Sequence, residues 1–307
     1  MKAILNSKIS DRVAKGHPWI YNNEINSVDA KAQPGNIVEV YNAKGNFVGR
    51  GFYNPASQIQ IRLLTRDLNE EINDDFFYQK ILACWQYKAK IGYTENCRVV
   101  FGEADGLPSL IIDKFNDYLV IQTMSLGMDV WKDAIVKALH QIFNPKGIYE
   151  RNDVPVREIE GMEQKKGFLS APFNTEIIIQ ENGLKFIVDI EKGQKTGYFL
   201  DQRDNRRQIQ QIVKDAEVLE AFCYTGTFSI HAAHYGAKKV LGLDISDFAI
   251  ETAKRNATLN GLDQICDFQS VNAFDALKQW SKEDKRWDVV MLDPPAFTKS
   301  RANIQRH

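Results

Sequence analysis

The sequence predicts an α/β protein with three parts: a small N-terminal β-barrel, a central α+β domain and a C-terminal Rossmann-like doubly wound sheet. Short alternating apolar runs over residues 37–64, broken by Gly, Asn and Pro, indicate the barrel. A helical apolar pattern over 74–91, followed by short strands, indicates the α+β domain. From about residue 184, strands and helices alternate, which is typical of a parallel sheet. We place the domains at residues 1–70, 71–182 and 183–307.

The pattern within the last two parts gives the expected elements. In the central part, helices are expected over 74–91 and 128–143, and strands over 97–101, 110–113, 118–123 and 147–151. In the third part, strands are expected over 184–190, 217–222, 239–244 and 287–293, and helices over 204–213, 227–235 and 246–260. The ligands of such parallel sheets lie at the carboxyl ends of the strands.

Composition excludes several classes of protein. With 307 residues, 44% of them apolar, the chain can bury more than one core. No window reaches the 18 apolar residues of a spanning helix, so we expect a cytoplasmic protein that does not enter a membrane. The four cysteines lack the C-x-x-C spacing of a zinc site, and we expect no metal and no disulfide.

Charge is distributed unevenly along the chain. Residues 1–66 contain nine basic and four acidic residues, a net charge of +5, whereas the remainder has 30 basic and 36 acidic residues, a net charge of -6. A surface that faces nucleic acid explains this asymmetry, and a solvated basic surface explains it equally well.

Polar residues follow three strand ends in the third part. After the strand over 217–222, Gly226 lies in a tight turn that leads into a helix, where a glycine lets backbone approach a ligand and the helix amides favour a carboxylate. Asp244, about twenty residues later, has the spacing of an acid that binds ribose hydroxyls. Either Asp244 or Ser246 could instead only cap the next helix. Residues 271–274 could reach an adenine edge, and this is the least specific element.

The third strand ends in Asp293-Pro294-Pro295, with Phe297 two residues further on. Two prolines fix the backbone after a buried strand, and an acid followed by an aromatic ring suits holding and stacking a flat base. A strand terminator with a capping aspartate is the plainer alternative. The three strand ends together suit one adenosyl ligand.

Three runs resemble the RlmI family of 23S ribosomal RNA cytosine-5 methyltransferases. They are residues 293–297 (DPPAF), residues 223–228 (CYTGTF) and residues 193–203 (GQKTGYFLDQR), the last being the most specific. The front of the chain, with Gly16-His17-Pro18-Trp19, is similar to that family's RNA-binding PUA domain. The resemblance implies S-adenosylmethionine as cofactor, ribosomal RNA as partner, and His17 and Trp19 as architectural residues of the barrel. We also consider a homodimer.

The motifs and the resemblance together give the expected site. The expected catalytic residue is Asp293, which would hydrogen-bond the cytosine ring edge, and Pro295 and Phe297 are expected to contact the substrate. The expected cofactor contacts are Thr196, Tyr198, Phe199, Asp201, Arg203, Phe222, Cys223, Tyr224, Thr225, Gly226, Asp244, Ile245, Ser246, Asn272, Ala273, Phe274 and Pro294. Glu220 and Asn272 depart from the Asn and Asp that are frequent in the family, so the contacts there are less secure.

Methylating cytosine carbon 5 requires a thiolate that adds to carbon 6. The resemblance places this cysteine on a strand after the Asp-Pro-Pro turn, whereas the sequence ends ten residues after Phe297, so we expect a truncated sequence. Cys223 is expected to be a buried structural thiol.

Two other functions stay open. Methylation of a base nitrogen such as that of guanine needs no thiol and uses a similar Asp-Pro-Pro-x-Phe turn. A catalytically silent RNA-binding protein would keep the sheet as a scaffold. A nicotinamide dehydrogenase is disfavoured because the first turn lacks the G-x-G-x-x-G pattern.

Overall fold

The computed structural model describes residues 1–7 and 11–295, which form two compact units. Unit 1 contains Met1–Thr175 and Asp189–Tyr198, and unit 2 contains Glu176–Val188 and the chain from Phe199 onward. Within the described residues, no helix combines the length and apolar character needed to cross a bilayer.

Unit 1 begins with a six-stranded sheet in the order β2-β6-β5-β4-β1-β3. Its elements are β1 (Lys2–Leu5), α1 (Asp11–Ala14), β2 (Trp19–Ile20), β3 (Ile25–Val28), β4 (Ile37–Tyr41), β5 (Phe47–Tyr53) and β6 (Ile61–Thr65). Alternate residues of β4, Val38 and Val40, are buried against Ile61 and Leu63 of β6, as the two-residue period of the sequence predicts. The predicted barrel-like sheet is therefore present.

The rest of unit 1 is a five-stranded sheet in the order β11-β10-β9-β8-β7, packed against helices. The elements are α2 (Asp74–Lys90), β7 (Asn96–Phe101), β8 (Leu110–Phe115), β9 (Tyr118–Thr123), α3 (Leu126–Val130), α4 (Lys132–Phe143), β10 (Gly147–Asn152), α5 (Val156–Ile159) and β11 (Lys165–Phe168). The single helix expected over 128–143 is wrong, because the chain breaks at Trp131. This break lets Trp131 pack on Phe77 and lets Lys132 pair with the buried Glu150.

Unit 2 contains a four-stranded sheet in the order β16-β15-β14-β17, in which every neighbouring pair is parallel. The elements are α6 (Arg203–Gln208), β14 (Glu217–Ala221), α7 (Thr227–His234), β15 (Lys239–Asp244), α8 (Asp247–Leu259), β16 (Cys266–Ser270), α9 (Ala273–Lys282) and β17 (Val289–Leu292). The predicted alternation of strands and helices around a parallel sheet is confirmed. The helix expected over 204–213 is shorter, because α6 gives way to a 3-10 turn over Ile209–Gln211.

The expectation that residues 184–190 belong to the parallel sheet is wrong. β13 (Leu184–Asp189) pairs instead with β12 (Glu176–Glu181) in a separate two-stranded sheet. Asn182 and Gly183 between them have positive φ angles of 50° and 85°. Two such residues form the tight turn that closes a hairpin, so the Asn-Gly pair is the signal for this pairing.

A buried ion pair holds the hairpin to α6. Arg206 is 1% exposed and donates from Nε and Nη2 to Glu181 at 2.6 and 2.9 Å. The same guanidinium donates to the Phe199 carbonyl oxygen at 2.9 Å. A second ion pair on the same strand, between Arg255 and Glu176, is exposed on both sides. The two pairs therefore differ mainly in burial.

We predict that Arg206→Met lowers the free energy of unfolding by about 3–5 kcal/mol, because it leaves the Glu181 carboxylate buried without its cation. Arg255→Met is the matched control and should cost at most about 1 kcal/mol, because water screens that pair. Urea denaturation of both variants tests this, and equal losses would contradict the prediction.

Candidate functional site

Three parallel strands of unit 2 end side by side. Ala221, the last residue of β14, pairs with Leu243 of β15 on one side and with Leu292 of β17 on the other. The segments that follow, 222–226, 244–246 and 293–295, therefore leave the sheet at one edge. This edge brings together the three strand ends that the sequence singles out.

The turn after β14 has an unusual backbone. Phe222 and Tyr224 have φ angles of 66° and 48°, in the left-handed region that residues with side chains rarely adopt. The Cys223 amide donates to the Leu243 carbonyl oxygen at 2.8 Å, which ties the turn to β15. Such strained conformations persist where surrounding bonds fix them, and they cluster at binding sites.

Gly226 completes this turn with a φ of 73°. A Cβ atom at this position would lie 2.7 Å from the Phe268 ring and 2.9 Å from Cβ of Ala253. Packing against β16 and α8 therefore requires glycine here, and the approach of a ligand to this backbone stays a prediction.

The Asp244 carboxylate accepts hydrogen bonds from two backbone amides, one in the turn after β14 and one in the segment that follows β15. One carboxylate oxygen accepts from the Tyr224 amide at 2.9 Å, and the other accepts from the Ser246 amide at 3.0 Å. Helix α8 is capped by Ser246, whose Oγ accepts from the Ala249 amide. A carboxylate has about four acceptor sites, so two backbone bonds fix Asp244 and leave capacity for ligand hydroxyls.

Apolar side chains follow the ends of β14, β15 and β16. Phe274 is 54% exposed and meets the Phe222 ring edge to face, with centroids 5.4 Å apart. Ile245, which directly follows Asp244, is 75% exposed. Large exposed apolar groups beside a fixed acid suit a flat apolar ring that carries a hydroxylated sugar. Phe199 adds an edge-to-face contact with Tyr224 at 5.5 Å.

These residues fit S-adenosylmethionine. The Asp244 carboxylate can accept the ribose hydroxyls, and Phe222, Ile245 and Phe274 can contact the adenine. Helix α7 starts after Gly226; Glu220 accepts from its Ser229 amide, and the amides of Thr227 and Phe228 can receive a carboxylate. Within the same turn, Thr225 Oγ1 is buried and has no hydrogen-bond partner among the described residues, a polar atom still to be satisfied.

The structure also gives the surroundings of the other expected cofactor residues. Asn272 accepts from the Phe274 amide through Oδ1 and caps α9, so this oxygen is already engaged. Cys223 and Ala273 are buried. Asp201 lies in the 3-10 turn Leu200–Gln202 and Arg203 begins α6, both in unit 2.

The motif over 193–203 is divided between the two units. Thr196 and Tyr198 belong to unit 1, where both are buried and Thr196 Oγ1 donates to Asp113 at 2.6 Å. Phe199 and the residues after it belong to unit 2.

Asp293, Pro294 and Pro295 are exposed directly after β17. Phe297, the expected substrate contact, lies outside the described residues.

The four cysteines all lie in the described part of the chain, and burial raises the pKa of three of them. The pKa of Cys84 is raised to about 11 and that of Cys266 to about 12, and that of Cys223 is also raised. Cys97 is buried in the core of unit 1. A nucleophilic cysteine needs a low pKa and access to its substrate, so none of these four thiols is suited to attack a base.

Glu220 is a buried acid that the motif analysis did not include among the site residues. It lies on β14 beneath the turn and accepts from the Ser229 amide at 2.8 Å and from Ser229 Oγ at 2.5 Å. Burial raises its pKa to about 7, against the lowering effect of the Ser229 hydrogen bonds. The folded protein therefore holds a proton on Glu220 that the unfolded chain loses near pH 4.5.

We predict that this proton makes stability fall as pH rises from about 4.5 to 7, by up to about 3 kcal/mol, because the folded state binds more protons than the unfolded state in that window. Glu220→Gln keeps an acceptor for Ser229 and should therefore be more stabilising at pH 8 than at pH 5. Melting temperatures of wild type and variant at both pH values test this. Glu217→Gln, an exposed change on the same strand, should show the same difference from wild type at both pH values.

Two family models match the chain. Residues 3–66 match a PUA-like domain, and residues 163–306 match an S-adenosylmethionine-dependent methyltransferase. Among solved structures, one from Streptococcus mutans described as a SAM-dependent methyltransferase aligns with a TM-score of 0.82 at 20% identity, covering 98% of this chain and 79% of the other. A methyltransferase crystallised with S-adenosylhomocysteine aligns with a TM-score of 0.84 at 20% identity, covering 98% and 78%. At this identity the structures show the shared fold.

Relatives found by sequence share about twice the identity of these solved structures with this chain. Ribosomal RNA large subunit methyltransferase I of Pseudoalteromonas atlantica is 42% identical over 295 residues, which cover 94% of this chain and 74% of the relative. The protein of the same name from Aliivibrio fischeri is 40% identical over 293 residues, with the same coverage. The resemblance found in the sequence motifs is thereby confirmed, and the chain belongs to the ribosomal RNA large subunit methyltransferase I family.

Proposed function

We propose that this protein transfers a methyl group from S-adenosylmethionine to a base of large-subunit ribosomal RNA, namely cytosine carbon 5 of 23S RNA. The observation that carries the proposal is the Asp244 carboxylate, fixed by the Tyr224 and Ser246 amides at the edge where β14, β15 and β17 end. The names of the relatives support ribosomal RNA as the substrate.

In this proposal, the chain's own residues bind and orient the reactants. Asp244 accepts the ribose hydroxyls, the apolar group of Phe222, Ile245 and Phe274 contacts adenine, and Arg203 pairs with the methionine carboxylate. The bound cofactor supplies an electrophilic methyl group. Asp293, exposed at the end of β17, hydrogen-bonds the polar edge of the target base. The other expected cofactor contacts are Thr196, Tyr198, Phe199, Asp201, Cys223, Tyr224, Thr225, Gly226, Ser246, Asn272, Ala273 and Pro294, and the expected substrate contacts are Pro295 and Phe297.

The basic N-terminal part supports an RNA-binding role for unit 1. Arg50 and Arg62 are neutralised by Glu39 and Glu160, so they serve the fold. Exposed lysines carry part of the remaining positive charge on the surface, where it is available to phosphates. These lysines are Lys2, Lys15, Lys31 and Lys44. A cytoplasmic location, where ribosomal RNA is found, is part of the proposal.

Methylation of a base nitrogen is the second candidate, because the exposed Asp293-Pro294-Pro295 turn also suits a reaction that needs no thiolate. Addition to cytosine carbon 6 needs a reactive thiolate, which the family resemblance places after the Asp-Pro-Pro turn, so the raised pKa values of Cys84, Cys223 and Cys266 do not decide between the two reactions. A nitrogen such as that of guanine attacks the methyl group directly and needs no such thiolate. The two reactions leave different modified nucleosides.

We predict that Asp244→Asn weakens S-adenosylhomocysteine binding about ten-fold or more, because an amide loses the charge and sets its NH2 against the backbone donors. Asp247→Asn removes the same charge three residues later, at an exposed position of α8, and should bind within about two-fold of wild type. Isothermal titration with both variants provides the test. Undiminished binding by Asp244→Asn would refute the cofactor site, and an inert scaffold protein would show no binding at all.

Mapping modified nucleosides tests the reaction itself. Ribosomal RNA from cells that lack the gene should have lost one methylation, and the purified protein with radiolabelled S-adenosylmethionine should restore it. A 5-methylcytosine at that position supports the main proposal, and a base-nitrogen methyl group supports the second candidate. If every methylation persists after deletion and purified protein transfers no label, methyl transfer to ribosomal RNA is excluded.

A further inference from the structure

Two asparagines one turn apart, Asn256 in α8 and Asn260 at its C-terminal cap, bind the backbone of β13. Asn260 accepts from the Lys185 amide at 2.9 Å and donates to the Lys185 carbonyl oxygen at 2.7 Å. Asn256 accepts through Oδ1 from the Ile187 amide at 2.8 Å. The two side-chain amides thus occupy hydrogen-bonding positions along β13 that a neighbouring strand would otherwise take.

Only one of the two side chains also reaches the turn after β14. Asn256 Nδ2 donates to the Thr225 carbonyl oxygen at 3.1 Å, whereas the Asn260 side chain bonds to the Lys185 backbone and to the Asn256 carbonyl oxygen. Asn256 is fully buried, whereas Asn260 is partly exposed. Burial makes the loss of a partner at Asn256 costly, because water cannot replace it.

The turn 222–226 needs hydrogen bonds from residues outside it. Phe222 and Tyr224 hold left-handed conformations that the chain would leave if nothing fixed them. Leu243 and Asp244 of β15 bind the first half, through the Cys223 and Tyr224 amides. Asn256 binds the second half, at Thr225, immediately before Gly226.

We propose that Asn256 is a positioning residue for cofactor binding: it fixes the turn 222–226 in the conformation that receives S-adenosylmethionine. The inference rests on the proposed cofactor site. Asn256 does this through the Thr225 carbonyl oxygen, and the same side chain makes the β12–β13 hairpin part of the support for that turn.

Asn256→Ala and Asn260→Ala form a matched pair, because each removes a side-chain amide that binds β13. The proposal expects Asn256→Ala to bind S-adenosylhomocysteine about ten-fold more weakly than wild type, and Asn260→Ala to stay within about two-fold. Hydrogen exchange of the amides of residues 222–226 should accelerate in Asn256→Ala alone. Equal effects of the two variants on affinity and on exchange in the turn, or no effect of Asn256→Ala, would overturn the proposal.

Asn256→Asp provides a test that does not depend on the alanine variant folding. Its carboxyl keeps the acceptor for the Ile187 amide, and only its protonated form can donate to the Thr225 carbonyl oxygen. Its affinity relative to wild type should therefore fall as pH rises from 5.5 to 8.5, since the ratio removes the titration that both proteins share, such as that of Glu220. Wild-type affinity of Asn256→Asp at a pH where NMR titration shows its introduced carboxyl to be ionised overturns the positioning role. If wild type itself does not bind S-adenosylhomocysteine, the proposed cofactor site fails instead.

Discussion

The site depends on one carboxylate that is shared by two backbone segments. Asp244 accepts from the Tyr224 amide across the sheet and from the Ser246 amide in its own chain. It can do this because β14 and β15 are parallel and in register, with Ala221 opposite Leu243. Without this acceptor, the turn 222–226 would lose a bond that holds Tyr224 at a positive φ. The proposed ribose contact uses the same carboxylate, so in that proposal both the turn and cofactor binding depend on one side chain.

Around this carboxylate, buried polar groups act as a supporting layer. Asn256 connects the turn to β13, and Arg206 connects β12 to the Phe199 carbonyl oxygen. Glu220 supports the start of α7 through Ser229. None of these groups needs to touch the cofactor, yet each fixes backbone that leads into the site. Such layers keep a binding site within the narrow geometry that it requires.

Much of the fold could be predicted because local patterns determine it. The parallel strands that precede Asp244 and Asp293 were predictable from apolar runs bounded by turn residues, and both strands pair with β14, one on each side. The Asn182-Gly183 turn was also present in the sequence, but the alternation further along the chain favoured a different partner for β13. Local pattern shows that a segment is a strand, whereas its partner depends on contacts between distant residues.

The remaining features depend on three-dimensional packing. A glycine in a turn after a strand has the same sequence signal whether a ligand or protein lies against it, so the packing of Gly226 against Phe268 and Ala253 could not be inferred from the sequence. Glu220 and Arg206 are charged residues of the kind that is usually solvated, so their burial could not be inferred from residue type. The sequence predicts the helix in which Asn256 lies, but not its two hydrogen-bond partners, Thr225 and Ile187, which are 31 and 69 residues away in the chain.

The course of the chain between residues 175 and 199 limits how the protein can be divided. The backbone enters unit 2 at Glu176, returns to unit 1 for Asp189–Tyr198 and enters unit 2 again at Phe199. A fragment that starts at Phe199 would lack β12 and β13, and with them Glu181 and the backbone that Asn256 and Asn260 bind. A fragment that starts at Glu176 carries ten residues that belong to the other unit. No single cut separates the two units, so neither is a contiguous module that gene fusion or shuffling could move alone.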